Sequence, residues 1–426
     1  MIRAYADDMF FGRVVMGVAA LAAAVFSAGA SPAAPVLITI TDARVAEGGP
    51  GRLLVFEVRA NGGLEGSARV AFATREGSAF EGEDYAPLSG EISFDSSSRT
   101  RSVAVRVRGD GVDERDEMLA IALSRAGGAA IRDAHGVGTI ADDDGPPLRG
   151  ARVAAAGDIA CDPESQGFDG GAGDGFRCRQ RATSNLLLGR GYAAVLALGD
   201  NQYGDGGYEK FVASYGPSWG RVKSLTRPAP GNHEYGTPRA AAYFRYFGAA
   251  AGDPARGYYG FDVGAWHVVV LNSNCGAVGG CGAGSPQERW LRADLAATRA
   301  TCTLAFWHHP RFSSGAHGSD PTYTAFWQAL YEASADVVLV GHDHDYERFA
   351  PQTARGGLAL VRGIREFVVG TGGKGVRPFS TSRPNSEARN ATTLGVLELT
   401  LGRDAYAWRF RAAVGSFRDR GSTACH

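Results

Sequence analysis

The stretch that decides the fold is Ala194-Val195-Leu196-Ala197-Leu198-Gly199-Asp200-Asn201-Gln202-Tyr203. Five apolar residues without alternation read as a strand buried on both faces, the pattern of a parallel sheet. The run stops at a glycine, and an acid and a tyrosine follow. Open α/β sheets gather ligands outside the carboxyl ends of their strands, so Asp200 stands where a site is expected. The same pattern recurs in order along the chain: Gly157-Asp158-Ile159-Ala160, Gly231-Asn232-His233-Glu234, Trp307-His308-His309-Pro310 and Gly341-His342-Asp343-His344, with a Gly370-Thr371-Gly372-Gly373 turn beyond. One such motif occurs by chance, and a lone buried histidine is commonly structural. The ordered set is much harder to produce by accident.

These residue types point to metal chemistry. A carboxylate at the end of a buried strand can bridge two cations about 3.5 to 4 Å apart, which together clamp the attacking and leaving oxygens of a phosphoryl centre. Asp200 is the candidate bridge. Asp158 and His344 then serve one ion, and Asn232, His308 and His342 the other. Two histidines separated by one residue project to the same side if extended, so His342 and His344 can reach one dinuclear centre.

The chain's 426 residues, 44% hydrophobic and 21% charged, supply material for two or three globular domains. A net charge of -1 implies no broad basic surface for nucleic acid. At the N-terminus, Arg13 precedes an apolar run from Val14 to Phe26, and Ala28-Gly29-Ala30 offers small residues for cleavage before Ser31. Residues 1–30 therefore read as a signal peptide, with no membrane span left after cleavage and a secreted, periplasmic or cell-surface location. All six cysteines lie after residue 150. An even count in an exported chain predicts disulfides, and spacing favours Cys161 to Cys178, Cys275 to Cys281 and Cys302 to Cys425.

Residues 36–144 read as an all-β sandwich, with short alternating strands such as Leu53 to Val58, Ala68 to Thr74 and Arg101 to Val107. Gly145-Pro146-Pro147 opens a stiff linker over 145–149. Residues 150–426 change to α/β, with strands at Arg152 to Ala156, Ala194 to Leu198, Trp266 to Asn272, Cys302 to Trp307, Val337 to Val340, Phe367 to Val369, Gly395 to Leu401 and Ala407 to Phe410. Ser285-Pro286-Gln287-Glu288 is a capping box that predicts a helix to Ala297, and Asp320-Pro321 starts a second one through Ala333.

The first segment resembles the Calx-beta domain through Glu47-Gly48-Gly49, Gly82-Glu83-Asp84-Tyr85, Asp113-Glu114-Arg115-Asp116-Glu117 and the triplet Asp142-Asp143-Asp144. The resemblance makes Glu47, Asp84, Asp110, Glu114, Glu117, Asp142, Asp143 and Asp144 candidate Ca²⁺ ligands, a hard cation that takes six to eight oxygens. Solvated turn acids are the competing reading.

The second segment resembles the metallophosphoesterase (calcineurin-like) superfamily, which implies a four-layer α/β sandwich. The histidine that many members place two residues after the first Asp is replaced by Ala160, and Tyr203 follows Asp200 as in purple acid phosphatases. That likeness implies Fe³⁺ held by Asp158, Asp200, Tyr203 and His344, since a phenolate is a hard anionic donor. The second ion, Zn²⁺, Fe²⁺ or Mn²⁺, would be held by Asp200, Asn232, His308 and His342. It also implies hydrolysis of a small phosphate monoester by a metal-bound hydroxide, with His233 at the leaving oxygen and His317 as a candidate substrate contact. A phosphodiesterase or nucleotidase of the same superfamily is one alternative. A calcium-binding surface or adhesion protein with an inactive phosphoesterase scaffold is another.

Overall fold

The computed structural model describes residues 35–48, 51–64, 66–109, 116–143 and 148–426. The predicted signal peptide, Asp110, Glu114, Asp144 and most of the linker lie outside them.

The first part is two antiparallel-rich sheets face to face. One holds Thr100–Arg106, Leu53–Asn61, Leu37–Ile40 and Ala130–Ile131 in spatial order; the other holds Ala43–Ala46, His135–Ala141, Glu117–Gly127, Ala68–Glu76 and Ser89–Phe94. Period-two alternation sends Leu54, Phe56 and Val58 inward from one sheet and Leu119, Ile121 and Leu123 from the other into one core.

The second part is also two sheets. Six strands are ordered Thr226–Ala229, Ala194–Leu198, Ala151–Ala156, Leu394–Leu401, Ala405–Val414 and Arg420–Ala424; seven are ordered Tyr259–Val263, Trp266–Val270, Cys302–Phe306, Val337–Val340, Arg365–Val369, Tyr346–Phe349 and Ser386–Asn390. Residues of both sheets, among them Val153, Leu196, Val268, Leu304 and Phe367, share one buried core. A second core lies where Leu291, Leu295, Phe326 and Leu330 of the helices Pro286–Ala297 and Thr324–Glu332 cover Val269, Ala305 and Val338. The central strands are parallel and fully buried, which is why the sequence shows them as unbroken apolar runs.

The helix starts follow their caps with two differences. Ser285 accepts from the Glu288 amide at 3.2 Å, but Glu288 reaches back to Gly284 N at 3.0 Å instead of the cap's own amide. The segment at Asp320 begins as a 3₁₀ turn, Pro321–Tyr323, before the α-helix Thr324–Glu332, with Asp320 accepting from Thr322 N. The Trp266 strand stops at Val270, short of the expected Asn272.

The three disulfides pair as spacing predicted, Cys161 with Cys178, Cys275 with Cys281 and Cys302 with Cys425. Among the described residues no helix is long and apolar enough to cross a membrane.

One ionic clamp ties the edge hairpin to a helix. His267 binds Asp262 through Nδ1 and Asp294 through Nε2, both at 2.8 Å. The Asp294 hydrogen bond outweighs burial and, helped by Asp262, raises the imidazole pKa. A raised folded-state pKa means stabilisation that is complete below the unfolded pKa and fades as pH rises through the folded one. His267→Asn should therefore lower the urea midpoint more at pH 5 than at pH 9. Equal losses at the two pH values would show that the imidazolium contributes nothing.

Candidate metal centre

The strand ends bring the motifs together. Asp158, Asp200 and His342 each adopt positive φ, 59°, 45° and 69°, so the chain leaves each strand through a sharp left-handed turn that lifts the side chain over the sheet edge. Gly199, at φ 87°, packs against the His308 ring, where a Cβ would meet His308 Cβ at 2.6 Å. A Cβ on Gly231 would lie 2.2 Å from the Asp200 amide, which explains the glycine before Asn232.

Asp158 and Asp200 are buried, and each is met by a histidine. His344 Nε2 stands 3.3 Å from Asp158 Oδ1, and His308 Nε2 stands 3.3 Å from Asp200 Oδ2. The Tyr203 hydroxyl donates to Asp158 Oδ1 at 2.7 Å and lies 2.9 Å from His344 Nε2. His342 Nδ1 is 3.2 Å from His308 Nε2. Asp158, Asp200 and His308 form one cluster of donors close enough to share an ion, and His308, His309 and His342 form another. His308 is common to both.

Neighbouring carbonyls fix the rings. His308 Nδ1 bonds Leu198 O at 2.9 Å and His344 Nδ1 bonds Gly375 O at 3.1 Å, leaving each Nε2 aimed at the carboxylates. This is the carbonyl-to-imidazole support that metal-binding histidines require.

The electrostatics fit a cation. Burial works against a charged Asp200, yet His308 and His233 outweigh it and hold the carboxyl well below its usual range. Burial likewise opposes charge on His308, but Asp200 and Asp158 push its pKa up to about 9. Burial, then Asp158 and Asp200, hold the Tyr203 phenol well above its usual value. A phenolate there needs a strong positive charge to offset those two carboxylates. Two carboxylates, a phenol and three imidazoles are hard and borderline donors, suited to Fe³⁺, Zn²⁺ or Mn²⁺.

The remaining candidates lie around this cluster. Asn232 is on the exposed rim, in the turn that packs on Asp200. His233 donates its amide to Asp200 Oδ1 at 2.9 Å, and its ring sits 4.3 Å from the Tyr203 ring. His317 is exposed, with its ring 4.2 Å from that of His342. Its loop is held by Asp343, which accepts from the amides of His317 and Gly318 at 2.7 and 3.1 Å. Glu347 accepts from Ser314 N at 2.7 Å and Ser314 Oγ at 2.6 Å.

Sequence reasoning missed three groups. Glu234, fully buried, accepts from Gly231 N at 2.7 Å and Gln202 N at 3.1 Å, tying the Asn232 turn to the Asp200 turn. Burial, then Asp200, pushes its pKa up to about 8. Arg377 Nη1 lies 2.6 Å from His317 Nε2, and Lys374 Nζ stands 4.9 Å from the Tyr203 ring centre. Both cations follow the Gly370 turn. That turn was their only signal.

The proposed calcium ligands divide. Glu47 and Asp143 sit on adjoining turns, where Gly48 N donates to Asp143 Oδ1 at 2.7 Å. Asp142 N lies 3.3 Å from Asp116 Oδ1. Asp84 and Glu117 share an arginine from the second part of the chain, Arg420.

Fold and cluster together define a class, a two-sheet α/β domain with a site for paired cations at its strand ends. Residues 151–346 match the calcineurin-like phosphoesterase family model, and residues 26–143 match the Calx-beta domain model. Purple acid phosphatase 15 of Arabidopsis thaliana is 32% identical over 149 residues, 30% of this chain and 27% of that protein. Purple acid phosphatase 21 of the same plant is 37% identical over 100 residues, 22% of each. An uncharacterised protein of Mycobacterium tuberculosis is 27% identical over 233 residues, 45% of this chain and 44% of that protein. The matches thus span less than half of each relative's length. The purple acid phosphatase PPD1 from yellow lupin (Lupinus luteus) seeds shares the fold, with TM-score 0.55 and 13% identity over 92% of this chain and 74% of that one. The chain thus joins a Calx-beta domain to a metallophosphoesterase-like domain that is similar to purple acid phosphatases.

Proposed function

We propose that this protein is an exported, metal-dependent hydrolase of phosphate monoesters. The observation that carries the reading is the convergence of two contact groups, Asp158 with Tyr203 and His344, and Asp200 with His308 and His342, joined where donor atoms of Asp158, Asp200 and His308 lie within 4.8 Å of one another. Asp158, Asp200, Tyr203 and His344 would hold one ion, and Asp200, Asn232, His308 and His342 the other. Fe³⁺ suits the first site through its phenolate, and Zn²⁺, Fe²⁺ or Mn²⁺ the second. When bound, the pair supplies Lewis acidity that activates water and neutralises charge on the phosphoryl oxygens.

The chain's own residues do the rest. His233, with Nε2 3.8 Å from Asp200 Oδ2, would give a proton to the leaving oxygen. Arg377, whose Nη1 donates to His317 Nε2, would offer its remaining guanidinium donors to the phosphate from the exposed side, with His317 orienting it. A shallow depression of about 450 Å³ lined by Tyr235, Asn274, His309 and Tyr323 opens beside the cluster and would receive the alcohol part of the ester. The three disulfides suit the oxidising compartment that export would supply.

Purified protein should hydrolyse p-nitrophenyl phosphate faster than its bis-ester and show a visible absorption band from phenolate-to-iron charge transfer. Tyr203→Phe should abolish the band. A colourless, iron-free protein with full activity would remove Tyr203 from the ligand set, and preference for the bis-ester would move the reading to a phosphodiesterase.

A further inference from the structure

The acidic corner of the β-sandwich, the place expected to hold Ca²⁺, already contains a positive charge. Arg420 opens the edge strand Arg420–Ala424 of the six-stranded sheet. Its side chain is only 8% exposed, and its guanidinium lies among three carboxylates of the other domain. It bonds Asp84 Oδ1, stands 3.2 Å from Glu83 Oε1 through Nε, and 3.8 Å from Glu117 Oε2. The other Asp84 oxygen accepts from Phe80 N at 2.7 Å, so both of its oxygens are engaged. Arg418 reinforces the contact, 3.7 Å from Glu83 Oε2 and with its guanidinium 3.8 Å from the Phe80 ring centre. A cleft of about 460 Å³ runs beside them, lined by Phe80 and Glu81 on one side and Thr392 and Phe417 on the other.

Charges buried this deeply persist only when paired. Glu83 and Asp84 have side-chain exposures of 7% and 4%, and Arg418 and Arg420 are paired with them, with Arg409 also acting on Glu83. Burial raises the Glu83 carboxyl pKa, and Arg420 is the largest influence opposing that rise. The donor set offers Ca²⁺ little: a divalent ion at Asp84 and Glu117 would have to displace the guanidinium.

We propose that Arg420 is the built-in cation of this corner, that it docks the β-sandwich on the phosphoesterase domain, and that docking and divalent-cation binding at Asp84 and Glu117 exclude one another. Removing the guanidinium leaves buried carboxylates facing each other, which both loosens the dock and creates a demand for Ca²⁺.

The test uses the full chain. Small-angle scattering, thermal melting and calorimetric Ca²⁺ titration are compared in the wild type, Arg420→Gln, Arg420→Lys and Glu83→Gln. With Ca²⁺ at about 1 mM, the upper end for extracellular modules, the wild type should keep its scattering curve and melting profile. Arg420→Gln should show a larger radius of gyration, a separate melting step for the sandwich, and Ca²⁺ affinity at least about tenfold above wild type. Glu83→Gln should loosen the dock without that gain. Arg420→Lys, which keeps the charge, should stay docked and bind Ca²⁺ no better than wild type. Wild-type protein that binds Ca²⁺ at this corner while still docked overturns the proposal. So does Arg420→Gln that remains docked and indifferent to Ca²⁺, or Arg420→Lys that undocks and binds Ca²⁺ like a neutral variant.

Discussion

Asp200→Ala should lower kcat toward p-nitrophenyl phosphate by roughly 10⁴-fold, the scale of loss when one member of a catalytic unit is deleted. The protein should also lose at least one of its metal ions. Asp200 is the one carboxylate placed against both the His308 ring and the His233 amide, at 3.3 and 2.9 Å, and its turn is packed against Gly231. Asp200→Asn separates charge from shape. The amide oxygen can still accept from His233 N, so the fold should hold, but a neutral group cannot bridge two cations. We expect the asparagine variant to melt normally and to be nearly as inactive as the alanine one. An asparagine variant with two metal ions and more than about a tenth of wild-type kcat would contradict the bridging role.

Metal removal should lower the melting temperature sharply. Asp158 and Asp200 are buried together, and the Tyr203 phenol is pushed to high pKa by burial and then by those carboxylates. Cations relieve that repulsion in the folded state and find no such cluster in the unfolded one, so metal binding stabilises folding. With free metal a thousandfold above Kd the contribution is about 4 kcal/mol. At about 2 to 4 °C per kcal/mol for a domain of this size, chelation should cost roughly 8 to 16 °C, restored on adding metal back. Calorimetry with and without a chelator checks this. An unchanged transition would mean that the cluster holds no ion of consequence to folding.

Much of the site was legible because catalytic-type side chains follow buried parallel strands. Unbroken apolar runs such as Ala194–Leu198 and Val337–Val340 announced where the chain reaches the sheet edge. The strands Thr226–Ala229, Tyr346–Phe349 and Ser386–Asn390 were not seen. Each is short. Pro228, Glu347 with Arg348, and Glu387 with Arg389 interrupt any apolar pattern, and their membership depends on tertiary pairing. Arg348 is a case in point: its partner is Asp419, 71 residues away. Glu234 and Arg377 were invisible for a similar reason, since an acid that anchors a turn and an arginine at a rim look like ordinary surface charges until their partners are placed.

The calcium expectation shows the opposite limit. The acidic motifs were read as candidate Ca²⁺ ligands, but no pattern within residues 36–144 can reveal that Arg420, more than three hundred positions on, pairs with Asp84 and Glu117 among them. Motif spacing reports what one segment can gather. It is silent on what another segment brings.

The account rests on two cations sharing Asp200, and anomalous diffraction from crystals of the metal-loaded protein tests that directly. The expected map has two peaks about 3.5 to 4 Å apart, with Asp200 between them, Asp158, Tyr203 and His344 around one, and Asn232, His308 and His342 around the other. A single peak, or a pair that leaves Asp200 outside, would contradict it.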